Sequence, residues 1–356
     1  MKSVDRRAKP ILTPAKARLA AGRMGPLWLL LFRLAPPSWS DYVIKHWSGR
    51  GFVVAVPYLW LLLFFTAPFL IVLKISFSER LIAMPPYEPL FGWVDDIPVV
   101  LEWSFSSVMA FLSSIEVYAD LDKYEFLLKN TLYIESYVYS IWVAAVSAFW
   151  CLMIGYPMAY AMARCTPTWR NVLLLLVMLP SFTSFLLRVY AWMGLLKSNG
   201  VINNVLLALG IIDEPLTMMN TDFAVYIGIV YSYLPFMILP LYTNLEKHDP
   251  TLLEAAADLG ARPVKAFLTV TLPLSMSGIV AGFLLVFIPA VGEYVIPSLL
   301  GPTDQLMIGR VLSDEFFNNG DWPVASAVAV VMLVLLVGPI MAFQYFQSRG
   351  AEEERK

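Results

Sequence analysis

Charged residues and cysteines are both scarce in this sequence. Asp, Glu, Lys and Arg make up 15% of the 356 residues, whereas soluble domains contain roughly 25%. Two cysteines are too few for a secreted fold held together by several disulfides. The net charge of −2 disfavours a nucleic-acid-binding protein, and the aromatic content of 14% excludes a disordered chain.

Hydrophobic residues replace the missing charge, because they make up 59% of the chain and give a mean hydropathy of +0.68. A helix that crosses a bilayer needs about 20 mostly apolar residues. Six intervals contain no charged residue, and they are 51–73, 136–163, 171–187, 223–245, 266–292 and 322–348. These intervals predict an all-α integral membrane protein with six transmembrane helices. The third is short, so we expect its helix to continue to Leu196 and to include Arg188.

The segments between these intervals differ in charge, and the difference predicts the orientation of the chain. Residues 1–50 contain ten Lys or Arg and two acids, whereas 74–135 contain four basic and ten acidic residues. One face carries 18 basic and 9 acidic residues in total, and the other carries 7 basic and 18 acidic residues. Because Lys and Arg concentrate in cytoplasmic loops, both termini are expected in the cytoplasm.

The same division predicts how the chain is organised. We expect a basic cytoplasmic extension over 1–50, a six-span membrane domain over 51–348 and a cytoplasmic tail over 349–356. Within the membrane domain, 74–135 is expected to form an external loop or small cap, and 246–265 a cytoplasmic loop.

The cytoplasmic loop has the signals of two short helices separated by a turn. Asp249 can cap a helix whose first residue is Pro250, and Gly260 is a natural stop for that helix. Pro263 can start a second helix that continues through Phe267. Such an exposed helix suits insertion into a groove of a partner protein.

The residues of this loop resemble the EAA signature of ABC importer permeases. The match consists of Glu254-Ala255-Ala256, Gly260, Val270 and Leu272-Pro273, with Val270 where isoleucine is commoner. The resemblance implies the type I, MetI-like permease fold in a bacterial inner membrane. It also implies that Glu254, Ala255, Ala256, Gly260, Leu272 and Pro273 couple the membrane domain to an ATPase subunit.

Three longer stretches resemble the putrescine/spermidine importer permeases, and the putrescine type most. They are residues 179–192, 287–297 and 315–323. One departure is Phe182, because permeases of this branch often have tryptophan there. The resemblance implies import of a polyamine together with a second six-span permease, two ATPase subunits and a periplasmic solute-binding protein.

Several absences agree with a transport subunit that is not itself an enzyme. No GxxxxGK[ST] phosphate-binding loop occurs in the chain, so ATP hydrolysis is expected in the partner subunits. The sequence also contains no nucleophile–base pattern and no metal-ligand spacing. No cofactor and no bound nucleic acid are therefore expected.

A path for a polyamine needs carboxylates for the ammonium groups and aromatic faces for cation–π contacts. The candidate pathway residues are Phe182, Thr183, Tyr190, Trp192, Tyr231, Tyr233, Glu293, Tyr294 and Glu315. Arg188 would repel a cation, so we expect it to pair with an external acid, Glu293 in particular, and to act as a gating or structural charge.

Two alternatives stay open at this point. The same machinery could carry another small solute, and the acidic external face argues only against anions. A stand-alone channel or secondary transporter is the second alternative. It would predict acids within the spans or an internal repeat, and the sequence has neither.

Overall fold

A computed structural model describes residues 49–87, 91–93, 115–117 and 121–353 of the chain, with side chains described over 54–87 and 121–341. The predicted basic extension lies outside the described residues except for its last two positions. Most of the predicted external loop lies outside them as well.

The chain forms two compact units, residues 1–71 and 72–356. In the first unit the described residues form helix α1 (Gly49–Leu61), a π-helical turn (Leu62–Thr66) and the start of α2 (Ala67–Ser76). A helix long and apolar enough to cross a membrane, Val54–Ser76, begins in this unit.

Among the described residues of the second unit are three further helices of membrane-spanning length. They are α4 (Thr131–Arg164), α8 (Asp222–Leu245) and α15 (Trp322–Glu353). Two bent helix pairs also meet the length and composition of a span. Counting each bent pair as one span gives the six predicted spans.

The first bent pair overturns the expectation of one continuous third helix through Leu196. Helix α5 (Pro167–Met178) passes into a 3₁₀ turn (Leu179–Phe182), and α6 (Phe185–Leu196) follows with α7 (Val201–Ala208). The two halves are bent by 88°. The break follows Pro180, which lacks an N–H for the helix ladder. Three residues later, the backbone of Thr183 is extended.

The second bent pair forms the fifth span. It joins α10 (Pro263–Ala266), a π-helical turn (Phe267–Thr271) and α11 (Leu272–Leu274) to α12 (Met276–Val291). The bend of 64° lies at Ser275, two residues after Pro273.

The remaining elements are short. They are an antiparallel pair, β1 (Phe91–Trp93) with β2 (Ile115–Val117), and helices α3 (Asp122–Lys129), α9 (Thr251–Asp258), α13 (Val295–Leu300) and α14 (Ile308–Ser313). A π-helical turn over Asp314–Asn318 follows α14. Helix α4 begins at Thr131, before the expected end of the external loop at 135, because the Asn130 side chain caps it by accepting the Leu132 N–H.

Helices α4, α8 and α12 enclose the core of this unit. Small residues let α8 and α12 approach each other closely. A Cβ atom on Gly282 would lie 2.8 Å from Met237 Sδ, and one on Gly278 would lie 2.7 Å from Asn244 Cβ. Larger residues at these two positions would push α8 and α12 apart.

Candidate coupling loop and transport pathway

The cytoplasmic loop contains the helix, the turn and the second helix that its sequence predicts. Helix α9 begins at Thr251, one residue later than expected, and the Asp249 carboxylate accepts the Thr251 N–H over 2.9 Å. This hydrogen bond lowers the pKa of Asp249. Gly260 ends the helix with φ of +79°, a backbone conformation that favours glycine, and α10 starts at Pro263.

Helix α9 is a solvent-exposed feature of the isolated chain. None of its residues is buried. Exposed apolar side chains that the sequence did not single out are Leu252 on the helix and Leu259 and Val264 after it, and Leu259 is 90% exposed. An exposed apolar patch of this kind marks an interaction surface.

The six residues of the EAA resemblance fall into two groups. Glu254, Ala255 and Gly260 are exposed on the loop, and Ala256 is half-buried there. Leu272 and Pro273 lie instead in the bent fifth span, where Leu272 packs against the core. The first group therefore lies on the surface of the loop, and the second lies within a span.

Glu293 is the most deeply buried acid among the candidate pathway residues, with 7% of its surface exposed. Its Oε2 accepts the Tyr233 hydroxyl over 2.5 Å, and its Oε1 accepts the N–H groups of Val295 at 3.1 Å and Ile296 at 3.4 Å. Glu293 therefore caps α13 and fixes Tyr233 on α8.

The expected pairing of Arg188 with Glu293 is wrong. Both oxygens of Glu293 are turned toward Tyr233 and the start of α13, and the Arg188 Cζ lies 5.6 Å from the centre of the Phe185 ring. Within the described part of the chain, the buried Nε and Nη1 of Arg188 have no hydrogen-bond partner.

The aromatic candidates are only partly brought together. Trp192 and Tyr231 meet edge to face with their ring centres 5.5 Å apart. Phe182, Tyr190 and Tyr294 are exposed in the isolated chain, and Phe182 is 81% exposed. Thr183, also exposed, donates its hydroxyl to the Pro180 carbonyl.

Glu315 belongs to a different group of residues. Its Oε1 accepts the Tyr133 hydroxyl over 2.8 Å, and its Oε2 accepts the Asn319 side chain over 2.9 Å. The sequence analysis missed Tyr133, because one tyrosine near the start of a helix forms no pattern that points to a distant acid.

Among the described residues, no three His, Cys, Asp or Glu side chains are grouped closely enough to hold a metal ion.

Comparison with known proteins identifies the family of this chain. Residues 151–350, more than half of the chain, match the family described as the binding-protein-dependent transport system inner membrane component. The chain belongs to this family. It is therefore a multi-pass inner membrane permease, and the exposed loop over 246–265 lies within the matched region.

Named relatives of the permease include two from well-known bacteria. This chain is 38% identical over 295 residues to the spermidine/putrescine transport system permease protein PotB of Haemophilus influenzae. The match covers 83% of this chain and 92% of that protein. This chain is 40% identical over 224 residues to PotB of Escherichia coli, covering 63% of this chain and 81% of that protein.

Solved structures share the fold at low sequence identity. A chain of a bacterial alginate ABC transporter, in complex with an alginate pentasaccharide-bound periplasmic protein, superposes with a TM-score of 0.60 at 16% identity. The match covers 87% of the permease and 97% of that chain. A second structure of a transporter that imports alginate gives a TM-score of 0.57. The predicted fold of ABC importer permeases is confirmed.

Proposed function

We propose that this permease imports polyamines, putrescine or spermidine, as one subunit of an ATP-driven transporter. The observation that carries the substrate class is its 38% identity, over 92% of that protein, to a permease named for spermidine and putrescine transport. A buried carboxylate near aromatic side chains in the membrane domain supports the same class, because ammonium groups bind carboxylates and aromatic faces.

The complete transporter would contain a second permease of the same kind, two ATPase subunits and a periplasmic solute-binding protein. Residues 246–265 form the surface that we assign to ATPase contact, and we call this segment the coupling loop. Helix α9 is unburied, and Leu252, Leu259 and Val264 give the loop exposed apolar area. Burying such area in a partner's groove is the usual source of helix-in-groove affinity.

Transport would then proceed by alternating access. Closure of the ATPase pair on ATP would displace the coupling loop, and the displaced loop would move the spans. Glu293 and Tyr233 on one side and the Trp192–Tyr231 pair on the other are the side chains of this subunit that we assign to the cation pathway. Arg188 is the charge that we assign to its gating.

The orientation required by this proposal follows from charge. The face assigned to the cytoplasm carries 18 basic and 9 acidic residues, and the external face carries 7 basic and 18 acidic residues. An acidic outer face attracts cations, although salt screens this attraction beyond about 10 Å.

Purification of the tagged permease from its native membrane in mild detergent tests the assembly. The proposal predicts recovery of an ATPase and a second six-span subunit. Glu254→Ala should reduce the recovered ATPase, while Asp258→Ala, which removes another acid from the same exposed helix, should not. Recovery of the permease alone as a stable homo-oligomer would contradict the assembly and favour a channel or secondary carrier.

A further inference from the structure

We infer that the ion pair between Arg170 and Glu246 is the link by which the coupling loop moves the broken third span. The inference rests on the proposed function, because it assigns a task to the coupling loop. It adds two positioning residues, neither of which belongs to the EAA resemblance or to the candidate pathway.

The ion pair joins two separate elements at the cytoplasmic face. Arg170 lies in the first turn of α5, and Glu246 directly follows α8 at the start of the coupling loop. Arg170 Nη1 and Glu246 Oε1 are 2.5 Å apart, with side chains 25% and 37% exposed. The buried side chain of Tyr242 interacts with both charges. Partial burial reduces the screening that weakens ion pairs on open surfaces.

Glu246 lies close to α9, because only Lys247 and His248 separate it from the Asp249 cap of that helix. The N–H of Glu246 donates to the Tyr242 carbonyl, and the N–H of His248 donates to the Leu245 carbonyl. Asp249, the capping residue of α9, comes next. These hydrogen bonds continue α8 through His248, so a displacement of α9 reaches Glu246 through the short backbone that leads back from Asp249.

Helix α5 contacts the core through partly buried leucine and valine side chains. None of its residues is buried. A cavity of about 480 Å³ separates it from α4 and α8, and its walls include Met158 of α4, Leu176 and Val177 of α5, and Leu234 of α8. Empty space beside a helix lets it shift without the overpacking that a dense core would impose.

The far end of α5 leads to the bend of the third span. The 3₁₀ turn and the extended Thr183 follow α5, and Arg188 lies in the first turn of α6. A helix tied at Arg170 and free beside the cavity would move its far end when the coupling loop moves. Arg188, whose buried Nε and Nη1 have no partner in the described part of the chain, would move with it.

The experiment follows α5 directly in the assembled transporter, with Cys151→Ala and Cys165→Ser as background. Leu176→Cys and Leu234→Cys place thiols on the α5 and α8 walls of the cavity, and a flexible bifunctional thiol reagent reports their approach. The cross-linking rate is measured without nucleotide and after trapping with ATP and vanadate. The tested variants are Arg170→Glu, Glu246→Arg and the double swap, with Arg164→Glu as a matched control from the same cytoplasmic segment.

With the original charges, trapping should change the cross-linking rate about fivefold or more. Either single reversal should abolish this nucleotide dependence, the double swap should restore it, and Arg164→Glu should leave it intact. If a reversal prevents assembly, Arg170→Gln removes the charge with less disruption and has the same expected result.

Three results would overturn the inference: no nucleotide dependence with the original charges, retention of the dependence in both single reversals, or a double swap no better than the singles. Putrescine uptake by the same proteoliposomes tests the proposed function separately. Absent uptake combined with a charge-dependent cross-linking response would refute the polyamine assignment and leave the link between Arg170 and Glu246 standing.

Discussion

Replacement of Gly260 by alanine isolates the shape of the coupling loop from its side-chain contacts. Gly260 has φ of +79°, and a Cβ atom built on it meets nothing within 4 Å. The cost of the alanine is therefore backbone strain alone, about 1–2 kcal/mol for an L-residue in the left-handed region. A difference of that size changes a two-state population by about 5- to 30-fold.

The assay is the concentration of ATPase subunit that gives half-maximal stimulated ATP hydrolysis with the reconstituted permease pair. Gly260→Ala should raise this concentration by about 5- to 30-fold, in line with the strain. Gly260→Asn should raise it less, because asparagine tolerates this conformation better than alanine does.

Gly210 provides a matched control, because it has φ of +66° and equally open surroundings but lies between α7 and α8, outside the coupling loop. Gly210→Ala should leave the half-maximal concentration unchanged. Equal behaviour of the Gly260 and Gly210 variants would refute the assignment of the loop turn to ATPase docking.

Three further predictions concern other parts of the permease. Glu293→Gln keeps an acceptor for the N–H groups of α13 but removes the charge, so uptake of a dication should fall while assembly persists. The control Glu315→Gln should have little effect on uptake. Unchanged uptake in Glu293→Gln would remove Glu293 from the pathway. The Thr251 N–H lowers the folded-state pKa of Asp249. The Asp249 cap therefore stabilises the loop fully above the unfolded pKa near 3.9, and this stabilisation is lost as pH falls through the lower folded pKa. Over that pH range, hydrogen exchange of the α9 amides should rise in the wild type relative to Asp249→Asn, and identical profiles would contradict the capping role. Gly282→Val places methyl groups against Met237, whose Sδ would already lie 2.8 Å from a Cβ atom at position 282. The resulting overpacking should lower the free energy of unfolding by about 1–3 kcal/mol. A melting temperature equal to that of the wild type would contradict the close approach of α8 and α12.

Features set by local chemistry could be predicted from the sequence. Apolar intervals of sufficient length give the spans, since a bilayer accepts few other structures. The turn at Gly260 and the start of α10 at Pro263 follow from residues whose backbone preferences are strong. The membership of the family rests on the same kind of local pattern, spread along the loop and the fifth span.

Features set by the meeting of distant segments could not be predicted. A proline such as Pro180 sometimes kinks a membrane helix and sometimes only bends it slightly, so the 88° break was not evident. Glu293 was expected to pair with Arg188, but backbone N–H groups two and three residues ahead and the Tyr233 hydroxyl satisfy it instead. Side-chain pairing of this kind depends on how helices pack, which spacing along one chain does not specify.

Uptake of radiolabelled putrescine into proteoliposomes tests the central claim most directly. The vesicles would contain this permease, its partner permease and the ATPase subunits, with binding protein outside and ATP inside. The account predicts uptake that requires both ATP and binding protein, is lost in Glu254→Ala and persists in Asp258→Ala. Uptake without ATP, or no uptake of putrescine or spermidine by an assembled complex that hydrolyses ATP, would contradict it.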